Sequence, residues 1–147
     1  MAARIGAPLA YPVQLDPAEE GGFVVTFPDF GTGVTQGDTR EEALLQATDL
    51  LETMVANYIA EGWDLPLPSR PAGRPLVSLT PLVAAKAELY RAMRQARINK
   101  AELARRIGIS PQQAQRLFDI RHASRLDQIE AAMQALGRRL VVSSDAA

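Results

Sequence analysis

The chain has 147 residues, 47% of them hydrophobic and 22% charged, a make-up that fits one folded domain or two small ones and excludes a disordered chain. It has no cysteine, so disulfides, thiolate nucleophiles and cysteine-based metal sites are excluded. No apolar run approaches the roughly 20 residues of a membrane-spanning helix, and Met1–Pro8 lacks the apolar core of a secretory signal, which makes the cytoplasm the expected location and a membrane an unexpected partner.

The net charge of −1 hides two halves of opposite sign. Residues 1–81 carry four basic side chains against eleven acidic ones, a net −7, and residues 82–147 carry twelve against six, a net +6. Such halves suit different partners, a polyanion for the second and a neutral or basic molecule for the first, unless both are simply solvated faces.

In chain order, Tyr11, Val13 and Leu15 alternate as on a half-buried strand. Turn chemistry follows over Asp16–Gly22, and Phe23, Val25 and Phe27 alternate again, which predicts an antiparallel hairpin. A third short strand is expected around Val34-Thr35-Gln36, closed by Gly37. Thr39 and Glu42 have capping-box spacing at the start of a long helix. Its apolar face is read as Leu44, Ala47, Leu51, Met54, Val55 and Tyr58, with Gly62 as the stop. Pro66, Pro68, Pro71, Pro75 and Pro81 interrupt residues 64–81, which read as a proline-rich linker or strap with an edge strand at Leu76-Val77-Ser78-Leu79. The boundary falls near residue 80, giving domains 1–80 and 81–147.

The second half is helical throughout. Thr80-Pro81 opens a helix whose buried face is read as Leu82, Ala85, Leu89, Met93 and Ala96. Asn99 with Glu102 caps a short helix ending at Gly108, Ser110-Pro111 opens a third, and Ser124 a fourth with the core stripe Leu126, Ile129, Met133 and Leu136. Leu140-Val141-Val142 reads as an apolar tail, a candidate strand for pairing within a dimer.

Lys100–Phe118 fits a helix-turn-helix. Two short helices meeting at a steep angle need a small residue at the crossing, here Ala104, and a backbone at the turn that glycine adopts readily, here Gly108. Leu103, Ile107, Ile109, Ala114 and Leu117 would fill the shared core. An ordinary helical hairpin would pack the same way, but the outward side chains of the second helix are those of a DNA reader. Gln112, Gln113 and Arg116 match the major-groove edges of adenine and guanine. Ser110 with the free N–H groups beside it suits a phosphate, and Lys100, Arg105 and Arg121 suit flanking phosphates. Gln113 has an equal claim as the capping partner of Ser110. His122, the single histidine, reads as a surface or phosphate-facing residue, not a metal ligand.

Three runs carry a family resemblance: Tyr11-Pro12-Val13; Gly22-Phe23-Val24-Val25-Thr26-Phe27-Pro28-Asp29; and Gly33 through Leu44, with Leu65-Pro66-Leu67-Pro68-Ser69 after the helix. Together they resemble the HicB antitoxin family, and the second half is similar to the phage-repressor-class helix-turn-helix of many members. One departure is Gly31-Thr32-Gly33-Val34, where many members have a Pro-Gly-Cys-like turn. The resemblance implies an α+β fold: a small antiparallel sheet plus helix, partially ribonuclease-H-like, followed by an all-α helix-turn-helix domain. It implies an antitoxin that sequesters a small basic mRNA-cleaving toxin of the HicA type and represses its own operon by binding operator DNA. Because a single module of this kind binds DNA weakly, a homodimer or higher assembly is expected. The acidic first half suits a basic partner. Asp29, Phe30 and Asp38 are candidate toxin contacts from their loop and cap positions.

A nuclease would converge carboxylates on metal ions, whereas Asp16, Asp29 and Asp38 fall in turns and caps where aspartate has structural reasons to occur. No catalytic residue, metal or cofactor is expected. The alternative reading is a repressor whose first half senses a small ligand, which would show as a deep apolar pocket there.

Overall fold

The computed structural model describes residues 9–146, so the expectation about the N-terminal leader, which rests on Met1–Pro8, lies outside the described residues. Five strands and five helices follow in the order β1 (Ala10–Pro12), β2 (Gln14–Pro17), β3 (Phe23–Thr26), β4 (Val34–Gly37), α1 (Arg40–Glu61), β5 (Leu76–Ser78), α2 (Pro81–Gln95), α3 (Lys100–Ile107), α4 (Pro111–Phe118) and α5 (Leu126–Ala135). The architecture is α+β with small antiparallel sheets. The described residues gather into two compact units that divide between Ala84 and Ala85, inside the first turns of α2.

In the first unit the hairpin forms with Leu15 opposite Val25, and β4 adds on the far side of β3 with Thr35 opposite Val25. The strand persists through Pro17, two residues into the stretch read as turn. The edge strand at Leu76–Ser78 forms too, but its partner is the early half of the first extended run, with Tyr11 opposite Val77. One run therefore serves two sheets, changing partner at Val13, whose N–H donates to Pro75 O at 2.9 Å. Tyr11, Val13, Val25 and Phe27 form the sheet side of the core.

α1 packs on β3 and β4. Its buried face is Ala43, Ala47, Leu51, Met54, Val55 and Ile59, whereas Leu44 and Tyr58 are only half-buried. The face is turned slightly from the expected one because small Ala43 must meet Gly37. A β-carbon on Gly37 would lie 2.3 Å from Ala43 N and 2.7 Å from its Cα. Thr39 Oγ1 accepts the Glu42 N–H, while the Glu42 carboxylate reaches back to Asp38 N–H at 3.0 Å, one residue before the cap. Gly62 ends the helix in the left-handed region, φ 74°.

The proline-rich segment is a pinned strap. Tyr11 OH donates to Pro66 O at 2.8 Å, Ser69 N–H donates to Asp29 Oδ2 at 2.9 Å, and Leu65 is buried. Arg74 folds the following turn by donating to Pro71 O, Arg70 O and Ser69 Oγ.

In the second unit α3 packs against α4 and α5. Leu89, Tyr90, Met93, Leu103, Leu117, Phe118, Ile129 and Met133 are buried, each large apolar side chain contributing about 1.5–3 kcal/mol by leaving water. Two expected core positions are on the surface instead. Ala96 lies beyond the end of α2, and Leu126, in the first turn of α5, is 50% exposed. α5 also begins one residue later than expected. Arg125 is its N-cap, with its N–H donating to Gln128 Oε1, and Ser124 turns inward, its hydroxyl donating to Arg116 O at 3.3 Å. Leu140-Val141-Val142 forms no strand in the single chain, and Val141 and Val142 are exposed.

The close approach of β4 to α1 sets a test. Gly37→Ala should destabilise the protein by about 3 kcal/mol through overpacking against backbone. Gly31→Ala, in open space at φ 66°, should cost only the backbone strain of about 1 kcal/mol. Thermal unfolding of both variants checks the ranking.

Candidate nucleic-acid interface and partner-binding face

α3 and α4 are each fixed by their own sequence. Asn99 Oδ1 accepts the Glu102 N–H at 2.9 Å, and Gly108 closes α3 in the left-handed region at φ 70°. Ile109 N–H reaches back to Ala104 O, so Gly108-Ile109-Ser110 makes a tight turn. Ala104, Leu103, Ala114 and Leu117 are buried between the helices, while Ile107 and Ile109 are half-buried. Ile107, Ile109 and Leu117 help floor a shallow hollow of about 190 Å³ whose rim includes Gln113, Arg116 and His122.

Ser110 caps α4 by accepting the Gln113 N–H at 3.1 Å, and Gln113 Oε1 accepts the Ser110 N–H at 2.9 Å. Gln113 therefore makes the capping contact. Gln112 and Arg116 project from α4 into solvent.

The other cations are less free than a charge count suggests. Lys100 is folded against α4, with Nζ 3.0 Å from Gln115 Oε1 and 5.5 Å from the Phe118 ring centroid. Burial there pushes its pKa below the ordinary lysine value. Arg105 and Arg106 both bind Glu102, at 2.6 and 3.2 Å. Arg121 is exposed on the turn after α4, where its N–H donates to Asp119 Oδ1 at 3.0 Å. His122 is half-buried beside the hollow, with Nδ1 3.3 Å from Ser124 Oγ.

One group at this site had no signal in the sequence. Lys86 of α2 is completely buried, and its ammonium donates to the backbone carbonyls of Arg116, Asp119 and His122 at 2.9, 2.7 and 2.6 Å. Desolvation holds its pKa below the ordinary lysine value, an effect that the nearby Asp119 carboxylate only partly offsets.

On the first unit, the three candidate partner contacts differ in placement. Asp38 is exposed at the α1 start. Asp29 is half-buried and holds the strap through Ser69. Phe30 is 7% exposed, with its ring 4.9 Å from Tyr11, 6.2 Å from Phe27 and 5.3 Å from Tyr58. It is a core residue, because a ring surrounded by three others gains more by burial than by waiting for a partner. Asp16, Asp29 and Asp38 do not converge, and among the described residues no three histidine or carboxylate side chains gather as a metal site would require. Among them, too, no helix is long and apolar enough to cross a membrane.

The Glu102 carboxyl is held below its ordinary range first by hydrogen bonds from Arg105 and Arg106 and then by their charge. A depressed carboxylate pKa stabilises the fold above the unfolded value and loses that contribution as pH falls through the folded one. The stability advantage of the wild type over Glu102→Gln should therefore shrink as pH is lowered through the Glu102 titration, followed by NMR alongside thermal melts.

Residues 10–88 match the family model described as HicB-like antitoxin of bacterial toxin–antitoxin systems. The antitoxin HicB 1 of Photorhabdus laumondii is 40% identical over 92% of this chain and 86% of its own. Antitoxin HicB of Escherichia coli K12 is 41% identical over 90% of this chain and 96% of its own. Among solved structures, a toxin–antitoxin complex from Streptococcus pneumoniae contains a chain that aligns with 44% of this one and 46% of itself, at 31% identity and a TM-score of 0.40. Matched along most of its length by antitoxins and across its first unit by their family model, the chain belongs to the HicB-like antitoxins of bacterial toxin–antitoxin systems.

Proposed function

We propose that this antitoxin works through two surfaces. Residues 1–80, read as a partial ribonuclease-H-like domain, sequester a small basic mRNA-cleaving toxin of the HicA type. Residues 81–147 form a helix-turn-helix domain that represses the antitoxin's own operon. The observation that carries the DNA-binding half is the pair of independently capped helices α3 and α4, which bury Leu103, Ala104, Ala114 and Leu117 while aiming Gln112 and Arg116 outward. A short rigid helix with a glutamine and an arginine on its outer face suits the major groove, where Gln pairs with adenine and Arg with guanine. Ser110 and Arg121 flank that face and supply phosphate contacts, and Lys100 does so once it swings away from Gln115.

The first unit supplies the matching field for a basic toxin. The net −7 of residues 1–81 includes exposed Asp38, Glu41 and Glu42 at the α1 start. Complementary charge speeds association and favours the right partner. Asp38 and the Asp29 loop are the proposed contacts, with Phe30 supporting that loop from below. Because one module binds DNA weakly, a homodimer reading two half-sites is the working form. The reading of the first half as a small-ligand sensor gains no support from the hollow, which lies in the second unit.

Two experiments test these surfaces. Protein captured from its native cells should bring down a small basic protein that cleaves RNA when released by denaturation and refolded, and that is silenced when the antitoxin is added back. A capture without such a nuclease, while the neighbouring gene is expressed, would overturn the toxin-binding half. For DNA, a duplex enriched from a random pool by the wild-type protein should bind Arg116→Ala more weakly by about 1–3 kcal/mol, with circular dichroism unchanged. Equal affinity for that duplex would remove Arg116 from the reading surface.

A further inference from the structure

A lysine ammonium is almost never wholly buried unless it is paired. Lys86 is wholly buried, and its three hydrogen-bond partners are main-chain carbonyls. An ammonium has three N–H donors, so the group is saturated. The carbonyls are those of Arg116, in the last turn of α4, and of Asp119 and His122, in the turn beyond it. That is the negative end of the helix dipole, where a cation is favoured.

The turn is wrapped around this one charge. Asp119 N–H bonds Arg116 O, His122 N–H bonds Asp119 O, and Ser124 N–H bonds His122 O, so each carbonyl that faces Lys86 also accepts a bond within the turn. Ser124 Oγ adds a third donor to Arg116 O. The Asp119 carboxylate, which lies close enough to raise the Lys86 pKa, is itself held by Arg121 N–H. Lys86 thus fixes the end of the helix that carries Arg116 and closes the turn beyond it.

We propose that Lys86 is a positioning residue for DNA recognition, an internal cation that touches no DNA and sets the geometry in which Arg116, the base-reading side chain, meets it. The proposal rests on the reading of α4 as the DNA-contacting helix. A lysine that binds phosphate releases counterions, and its removal lowers the salt dependence of binding by about one unit of slope. Lys86 sits inside the unit and binds no phosphate, so its removal weakens affinity without changing that slope.

The test uses the full chain and the enriched duplex, with a scrambled duplex of the same composition as control. Lys86→Met should lose specific affinity by about tenfold or more, the size of a lost base contact. Binding to the scrambled duplex and the salt slope should stay near wild type, and backbone NMR shifts should change over residues 116–124. Because the chain has no cysteine, Lys86→Cys can be alkylated in denaturant with 2-bromoethylamine. The thiolate displaces bromide, and the new side chain carries an ammonium at lysine length. Refolded, that protein should regain specific affinity, and its counterpart alkylated with 1-bromopropane should not. Wild-type affinity for Lys86→Met, a salt slope lowered by about one, or equal behaviour of the two alkylated forms would each overturn the proposal.

A measurement on the unaltered protein holds even if the uncharged variants fail to fold. The Lys86 ammonium protons should exchange slowly enough to give a resolved nitrogen-correlated signal with contacts to residues 116, 119 and 122. Rapid exchange with solvent would refute the clamp. If Arg116→Ala binds the enriched duplex normally, the reading of α4 fails. If Arg116→Ala weakens binding and Lys86→Met does not, only the positioning role fails.

Discussion

The first extended run, Ala10–Pro17, has to satisfy its backbone with two different partners, and the N-terminal unit is arranged around that requirement. Its early half takes β5 and its later half takes β3. β5 lies after the long helix in sequence, so this pairing brings the chain back across the unit once α1 has been laid on β3 and β4. The proline-rich stretch is the return path. Proline cannot donate to a ladder, so the path is held by side chains instead: the Tyr11 hydroxyl on Pro66 and the Asp29 carboxylate on Ser69. The aromatic rings of Tyr11, Phe27, Phe30 and Tyr58 fill the space beneath it.

In the second unit, formal charge and available charge part company. Twelve basic residues follow position 81, yet their surroundings divide them into different kinds of group. Lys86 is interior, Lys100 lies along α4, Arg105 and Arg106 share one carboxylate, Arg91 pairs with Glu88, and Arg125 with Asp127. Pairs at or near the surface contribute little to stability, but they lower the positive field that a polyanion meets. A smaller set, with Arg116 and Arg121 in it, is left to define where that field points. Direction, more than total charge, separates a reading surface from a merely basic one.

Much of this was legible in the sequence wherever the governing rule is local. Caps at Thr39, Asn99 and Ser110, stops at Gly62 and Gly108, and the hairpin over residues 14–26 all depend on residues within a few positions of one another. Where a distant element decides, the reading failed in ways that have physical causes. The buried face of α1 rotated toward Ala43 because Gly37 comes within contact of that backbone, which helical periodicity cannot register. Phe30 does lie in a loop, as its position suggested, but Tyr11 and Tyr58, 19 and 28 positions away in the sequence, enclose its ring. Ser124 resembled a cap until the carbonyl of Arg116 drew it inward. Lys86 gave no hint at all, since its partners are main-chain carbonyls and carry no side-chain identity.

Trp63, the single tryptophan, stands just past the end of α1, its ring edge-on to Tyr58 at 5.4 Å. Its emission therefore senses the N-terminal unit, whereas most of the short helices lie in the other one. The protein thus carries a built-in optical division of labour. Indole fluorescence follows the melting of the unit that holds α1, and ellipticity that changes at constant fluorescence belongs to the other unit. Whether the two halves unfold as one cooperative body or as two can be read from the untouched chain without attaching a label.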